Sequence, residues 1–100
     1  MNETYIKNSV MKHLKGLDSS LFWRHAGGKF GVAGVPDIVG VYRGLPVAFE
    51  VKTPERRSQV TESQARFIKK YNESGGRAFV VVSLEEVKAI LLDLDNICQG

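Results

Sequence analysis

Asp37, Glu50 and Lys52 are the residues of this chain whose types and spacing could carry out chemistry: Asp37 follows Val35-Pro36, and Glu50-Val51-Lys52 begins thirteen positions later. Two carboxylates and a lysine at the ends of adjacent extended segments are the minimal equipment for metal-assisted phosphodiester hydrolysis. A phosphodiester is anionic and repels hydroxide. Hydrolysis near neutral pH therefore needs a hard cation to neutralise the phosphate oxygens and to lower the pKa of the attacking water. Hard cations take oxygen ligands, which suits Asp37 and Glu50 to Mg²⁺ or Mn²⁺. Lysine adds a point charge on a flexible stem, able to hold the water or to stabilise developing negative charge. Glu50 and Lys52 are two apart, so on a strand they share one face while Val51 points to the other. A purely structural reading also stands: Asp37 ends a turn, and Glu50 with Lys52 forms an exposed ion pair worth under about 1 kcal/mol.

The elements that must position these groups can be read along the chain. Residues 3–15 predict a helix, capped by Asn2, with Ile6, Val10, Leu14 and Leu17 on one face and Gly16 at its end. Glu3 falls on that apolar stripe, either as a third acid of the site or as a first-turn acid favoured by the helix dipole. Residues 21–25 predict a strand containing Trp23 and His25, each with a core or rim role beside a functional one. The glycine-rich stretch 27–34 follows, carrying Lys29. It is no nucleotide fingerprint, because Pro36 and a strand come next rather than a helix N-terminus. No nucleotide cofactor is expected. Residues 37–42 and 46–52 predict a hairpin turning at Arg43-Gly44-Leu45. Thr61-Glu62-Ser63-Gln64 reads as a capping box opening a helix to about Asn72, with Ala65, Phe67, Ile68 and Tyr71 on its buried side. That structural role for Gln64 competes with a catalytic one. Residues 77–82 predict a strand covered on both faces. Ser83 and Glu86 suggest a second capping box, opening a helix whose inner face is Val87, Ile90, Leu91 and Leu94. The expected class is α/β, in the order α-β-β-β-α-β-α.

Composition narrows the function classes. One hundred residues make one domain, with 43% hydrophobic and 25% charged content, as in ordinary soluble proteins. No signal-like or membrane-length apolar run occurs, which points to the cytoplasm. The lone Cys98 lacks a partner at disulfide or zinc spacing. Net charge is +3, and Arg24, Lys29, Arg43, Arg56 and Arg57 lie in or beside the connections expected to flank the site. They read equally as a DNA footprint or as solvated loop charge.

Taken together, Gly34-Val35-Pro36-Asp37, Glu50-Val51-Lys52, Thr61-x-x-Gln64 and the order of elements resemble the PD-(D/E)xK nuclease superfamily, most closely its virus-type replication-repair (VRR-NUC) branch. The resemblance covers nearly the whole chain. It implies a restriction-endonuclease-like core, a mixed sheet flanked by helices, with a divalent metal where the first hairpin ends. Carried over by position, Asp37, Glu50 and the Val51 carbonyl would bind Mg²⁺ or Mn²⁺, and Lys52 would hold or activate the water. Glu3 matches the family's first-helix acid, and Gln64 the glutamine opening the later helix. The chain resembles the stand-alone phage and prophage form, similar to junction-resolving enzymes that often act as homodimers. A four-way junction needs two symmetric incisions and each chain offers one site, which favours a homodimer on physical grounds. The expected function is a metal-dependent endonuclease selective for branched DNA such as Holliday junctions. Two other readings are a non-catalytic DNA- or protein-binding module, indifferent to EDTA, and a sequence-specific restriction-type enzyme, which would give discrete fragments from linear duplex.

Overall fold

The computed structural model describes residues 2–26 and 31–98. The elements run α1 (Glu3–Lys15), β1 (Ser20–Arg24), β2 (Ile38–Tyr42), β3 (Leu45–Val51), α2 (Glu62–Glu73), β4 (Arg77–Val81) and α3 (Leu84–Cys98), with a 3-10 turn at Pro54–Arg56. The expected α-β-β-β-α-β-α order is the observed one, and element ends move by a residue or two. Residues 27–30 of the expected glycine-rich stretch 27–34, Lys29 among them, lie outside the described residues.

The strands form one mixed sheet in the order β1-β2-β3-β4. β1–β2 and β2–β3 are antiparallel, and β3–β4 is parallel. A parallel neighbour cannot be reached by a tight turn, so the chain crosses over through α2. The β2–β3 turn is two residues long, with Tyr42 opposite Leu45. Arg43 and Gly44 both take positive φ, 49° and 90°, the conformation that matches hairpin twist. Glycine adopts it freely, and Arg43 does so at some steric cost.

One face of the sheet carries the core. Val47, Phe49 and Val51 of β3 are fully buried there with Ile38, Tyr42 and Val81, against Ile6, Val10, Met11 and Leu14 of α1 and Val87, Leu91 and Leu94 of α3. Each such side chain contributes about 1.5–3 kcal/mol relative to exposure. Phe49 stacks between Phe22 at 6.2 Å and Phe79 at 6.0 Å, tying three strands together. The stripes expected for α1 and α3 are those buried, with Leu17 and Ile90 packed at the margin. Alternation sends Ala48, Glu50 and Lys52 to the opposite face.

Three expectations need correction. No residue of α2 is buried; Ala65 is exposed, and Phe67, Ile68 and Tyr71 are half-buried. The helix lies over one edge of the sheet and packs chiefly on β4, too narrow a footing to cover it. β4 is itself an edge strand, so Phe79 and Val80 stay half-buried rather than enclosed. The second capping box closes on one side only: the Glu86 amide donates to Ser83 Oγ at 3.2 Å, but the Glu86 carboxylate accepts from the Val82 amide at 2.8 Å. Among the described residues no helix is long and apolar enough to cross a membrane.

Candidate active site

The sheet's register builds the site at the end of the hairpin remote from its turn. Ile38 pairs with Phe49, so the next step sets Asp37 opposite Glu50. On the other side the His25 amide donates to the Asp37 carbonyl at 2.8 Å, extending β1–β2 to the same level. Residues opposite one another across a sheet share a face, and His25, Asp37 and Glu50 therefore occupy one row. The Lys52 amide donates to the Val81 carbonyl at 2.9 Å, which keeps the chain extended past β3 and Lys52 on Glu50's face.

Asp37 is held from two sides. Its Oδ2 accepts from the Val51 amide at 2.8 Å, and its Oδ1 lies 3.3 Å from Lys7 Nζ. Lys7 Nζ is also 4.0 Å from Glu3, so the lysine stands between those two acids. Glu50 is 4% exposed and is the buried charged residue among those described. Its Oε2 accepts from Gln64 Nε2 at 3.1 Å and lies 3.7 Å from Lys52 Nζ. Burial first, and then the negative charge of Asp37, push Glu50 up to about 7; Lys52 opposes them, while a hydrogen bond with Asp37 and the charge of Glu3 add to the rise. Two carboxyls thus lie close together, Glu50 in a poorly solvated place, and each has a lysine in ion-pair range.

Gln64 makes the capping contacts and, with the same side chain, a hydrogen bond to Glu50. Its Oε1 accepts from the Thr61 amide at 2.9 Å, and its own amide donates to Thr61 Oγ1 at 3.1 Å. The other end of the same side-chain amide reaches Glu50. Capping fixes the rotamer that makes the site contact. Gly34 sets the position of this helix start: its φ is +80°, and a Cβ there would lie 2.2 Å from the Ser63 carbonyl oxygen. Any side chain would push α2 away from Glu50. Sequence reasoning missed Lys7 and saw Gly34 only as a motif letter. The available signals were the i,i+4 spacing of Glu3 and Lys7 and a glycine needing left-handed backbone.

The basic residues divide. The Arg24 guanidinium bonds the Asn8 side chain, and Arg56 is exposed just after β3. Arg57 pairs with Glu86 of α3. Burial opposes ionisation of Glu86, but hydrogen bonds from Arg57 and the Val82 amide outweigh it and hold the carboxyl below its ordinary value. Arg43 does not flank the site: it lies at the hairpin turn, the opposite end of β2, 2.8 Å from Asp95 of α3. A hairpin brings its two termini together and sends its turn away, which reading along the chain had overlooked.

Among the described residues no group of three or more His, Cys, Asp or Glu side chains is arranged to enclose a metal, so Glu3 does not close on Asp37 and Glu50. Mg²⁺ commonly binds through one or two carboxylates, with waters and substrate phosphate completing its octahedron. Asp37 and Glu50 meet that need, and a cation would relieve their repulsion. The donor set fits.

The family profile of recombination protein U matches residues 23–99. The chain belongs to the RecU family. RecU is a nuclease family of the PD-(D/E)xK superfamily, and the match includes Asp37, Glu50, Lys52 and Gln64 while starting after Glu3. The fold is similar to that of a solved VRR_NUC domain protein at TM-score 0.74 and 20% identity, covering 92% of this chain and 86% of that one. A solved VRR_NUC domain gives TM-score 0.70 at 21% identity over 89% and 92% of the two chains. No curated protein matches the chain.

Proposed function

We propose that this RecU-family chain is a Mg²⁺- or Mn²⁺-dependent endodeoxyribonuclease that selects branched DNA, such as a four-way junction, by structure. The observation that carries the reading is the Asp37–Glu50 pair: a buried carboxyl pushed up to about 7 beside a second acid is a costly arrangement for stability and a useful one for a cation. Asp37, Glu50 and the Val51 carbonyl would hold the metal, with Glu3 at its margin. When bound, the ion supplies charge neutralisation of the phosphate and a more acidic water. Lys52 would orient the attacking water in line with the P–O3′ bond, whose cleavage would leave a 3′-hydroxyl and a 5′-phosphate. Gln64 orients the Glu50 carboxylate through its hydrogen bond, and Lys7 fixes that of Asp37. Arg24, Lys29, Arg56 and Arg57 meet the DNA backbone. Two copies act together, because a junction needs two cuts and each chain has one site. By its resemblance to the phage-type members, the protein works in replication, recombination and repair in the host cytoplasm.

The test is cleavage of a labelled four-way junction beside linear duplex of matched sequence, with Mg²⁺, Mn²⁺ or EDTA, using wild type and Asp37→Ala. Paired metal-dependent nicks at the junction, absent in the variant, are expected. Intact DNA with all metals, while DNA still binds, would make the chain a binding module instead. Discrete fragments from the linear duplex would make it a restriction-type enzyme.

A further inference from the structure

We propose that the Lys7 ammonium stands where a second metal ion would otherwise sit, so that the site takes one divalent cation and not two. This role rests on the metal-dependent nuclease reading and fixes how many ions that chemistry uses here. Metal-assisted phosphodiester hydrolysis runs with a single ion or with a pair about 3.5–4 Å apart that clamps the attacking and leaving oxygens together. What fills the space between the acids decides which.

Three acids approach this end of the sheet, and the two gaps between them differ. Asp37 has Glu3 of α1 on one side and Glu50, across the hairpin, on the other. Lys7 Nζ stands in the first gap, 4.0 Å from Glu3 Oε2 and 3.3 Å from Asp37 Oδ1. In the second, no basic side chain among the described residues pairs with both Asp37 and Glu50: Lys52 approaches Glu50 alone, at the Oε2 that Gln64 also bonds. A bound Mg²⁺ would lie about 2.1 Å from a carboxylate oxygen and bring two positive charges toward the ammonium. An ion shared by Glu3 and Asp37 would therefore have to expel Lys7. The same ammonium explains why Glu3 does not join the other acids as a third ligand.

The local sequence keeps the lysine in place. Glu3 and Lys7 are four apart, so they are neighbours on the helix surface. Ile6 and Val10, 1% and 0% exposed, dock α1 against the sheet and hold the Lys7 stem at the sheet margin. Its side chain is only 25% exposed, with the stem covered and the charged head at the rim.

Formal charge agrees with one ion. Glu3, Asp37 and Glu50, when ionised, give three negative charges and Lys7 with Lys52 two positive ones, a net of −1. One divalent ion makes this +1, which the single negative charge of a scissile phosphodiester cancels. A second ion would leave +2 with the substrate in place. Glutamine at position 7 would start the cluster at −2 and make room for that ion.

The test counts Mn²⁺ on the full chain without DNA, by calorimetry and by electron paramagnetic resonance. Wild type should bind one Mn²⁺ per chain. Lys7→Gln should bind two, and their proximity should broaden the Mn²⁺ spectrum through spin coupling, which loss of a merely structural ion pair would not do. Lys7→Arg keeps the positive charge and should stay at one. Two ions on wild type, one on Lys7→Gln, or two on Lys7→Arg would each overturn the proposal while leaving the metal-dependent reading intact. No Mn²⁺ on either wild type or Lys7→Gln would remove both.

Discussion

The two ends of the β2–β3 hairpin contain charged residues of opposite design. At the turn, Asp95 of α3 accepts from Tyr42 at 2.6 Å and from Arg43 at 2.8 Å, with the Arg43 guanidinium 5.0 Å over the Tyr42 ring. Opposite charges meet at hydrogen-bonding distance. At the other end Asp37 and Glu50 are like charges, and their lysines stay 3.3 and 3.7 Å away. The first arrangement ties α3 to the sheet; the second keeps unspent electrostatic energy where a cation and a phosphate would enter. Groups arranged for stability satisfy one another, whereas groups arranged for chemistry leave something for the ligand to complete.

The sharpest way to break this contrast is to remove charge at each end in turn. Lys52→Ala is expected to lower kcat for junction cleavage at least about a hundredfold, the scale of a lost electrostatic contact, with DNA affinity nearly intact. Equal loss of affinity and rate would make Lys52 a phosphate clamp. Asp95→Ala should leave cleavage unchanged and cost about 1–3 kcal/mol of stability in denaturant melts, since the buried Tyr42 hydroxyl loses its bond to Asp95 while the Arg43 pair is partly exposed. A cleavage defect there would mean that the two ends are coupled.

Proton linkage sharpens the contrast further. The folded protein raises Glu50 from 4.5 to about 7, so folding favours its protonated form. The stability this group lends is complete below about pH 4.5 and is lost as pH rises to about 7. Relative to Glu50→Gln, the thermal midpoint of the metal-free wild type should therefore fall across that window. Added Mg²⁺ at pH 8 should recover the loss in wild type and not in the variant. A difference that stays flat with pH would show Glu50 to be ordinarily ionised in the fold.

The smallest effect belongs to Gln64→Ala. Losing its half of the capping box costs about 1 kcal/mol, and losing the Glu50 contact should lower activity by more than that stability loss explains. Full activity with the same destabilisation would restrict Gln64 to capping. Thr61→Ala offers the matching control, because it weakens the cap while leaving the amide that reaches Glu50.

The elements, their order, and the meeting of Asp37, Glu50 and Lys52 at one sheet end were legible in the chain by itself. Helical stripes, caps and hairpin turns are local patterns, and a tight hairpin forces its two termini together whatever surrounds it. Only the packing of distant segments placed α2 over one edge of the sheet, Arg43 with Asp95, and Lys7 beside Asp37. It also decided that Gln64 caps its helix and bonds Glu50 with the same side chain. The reason is physical: proton affinity and ion pairing depend on distance and dielectric between segments far apart in the chain. No periodicity within one segment specifies either. Glu50 is an ordinary glutamate in its strand, and becomes a carboxyl near 7 through burial and the approach of Asp37 across the hairpin.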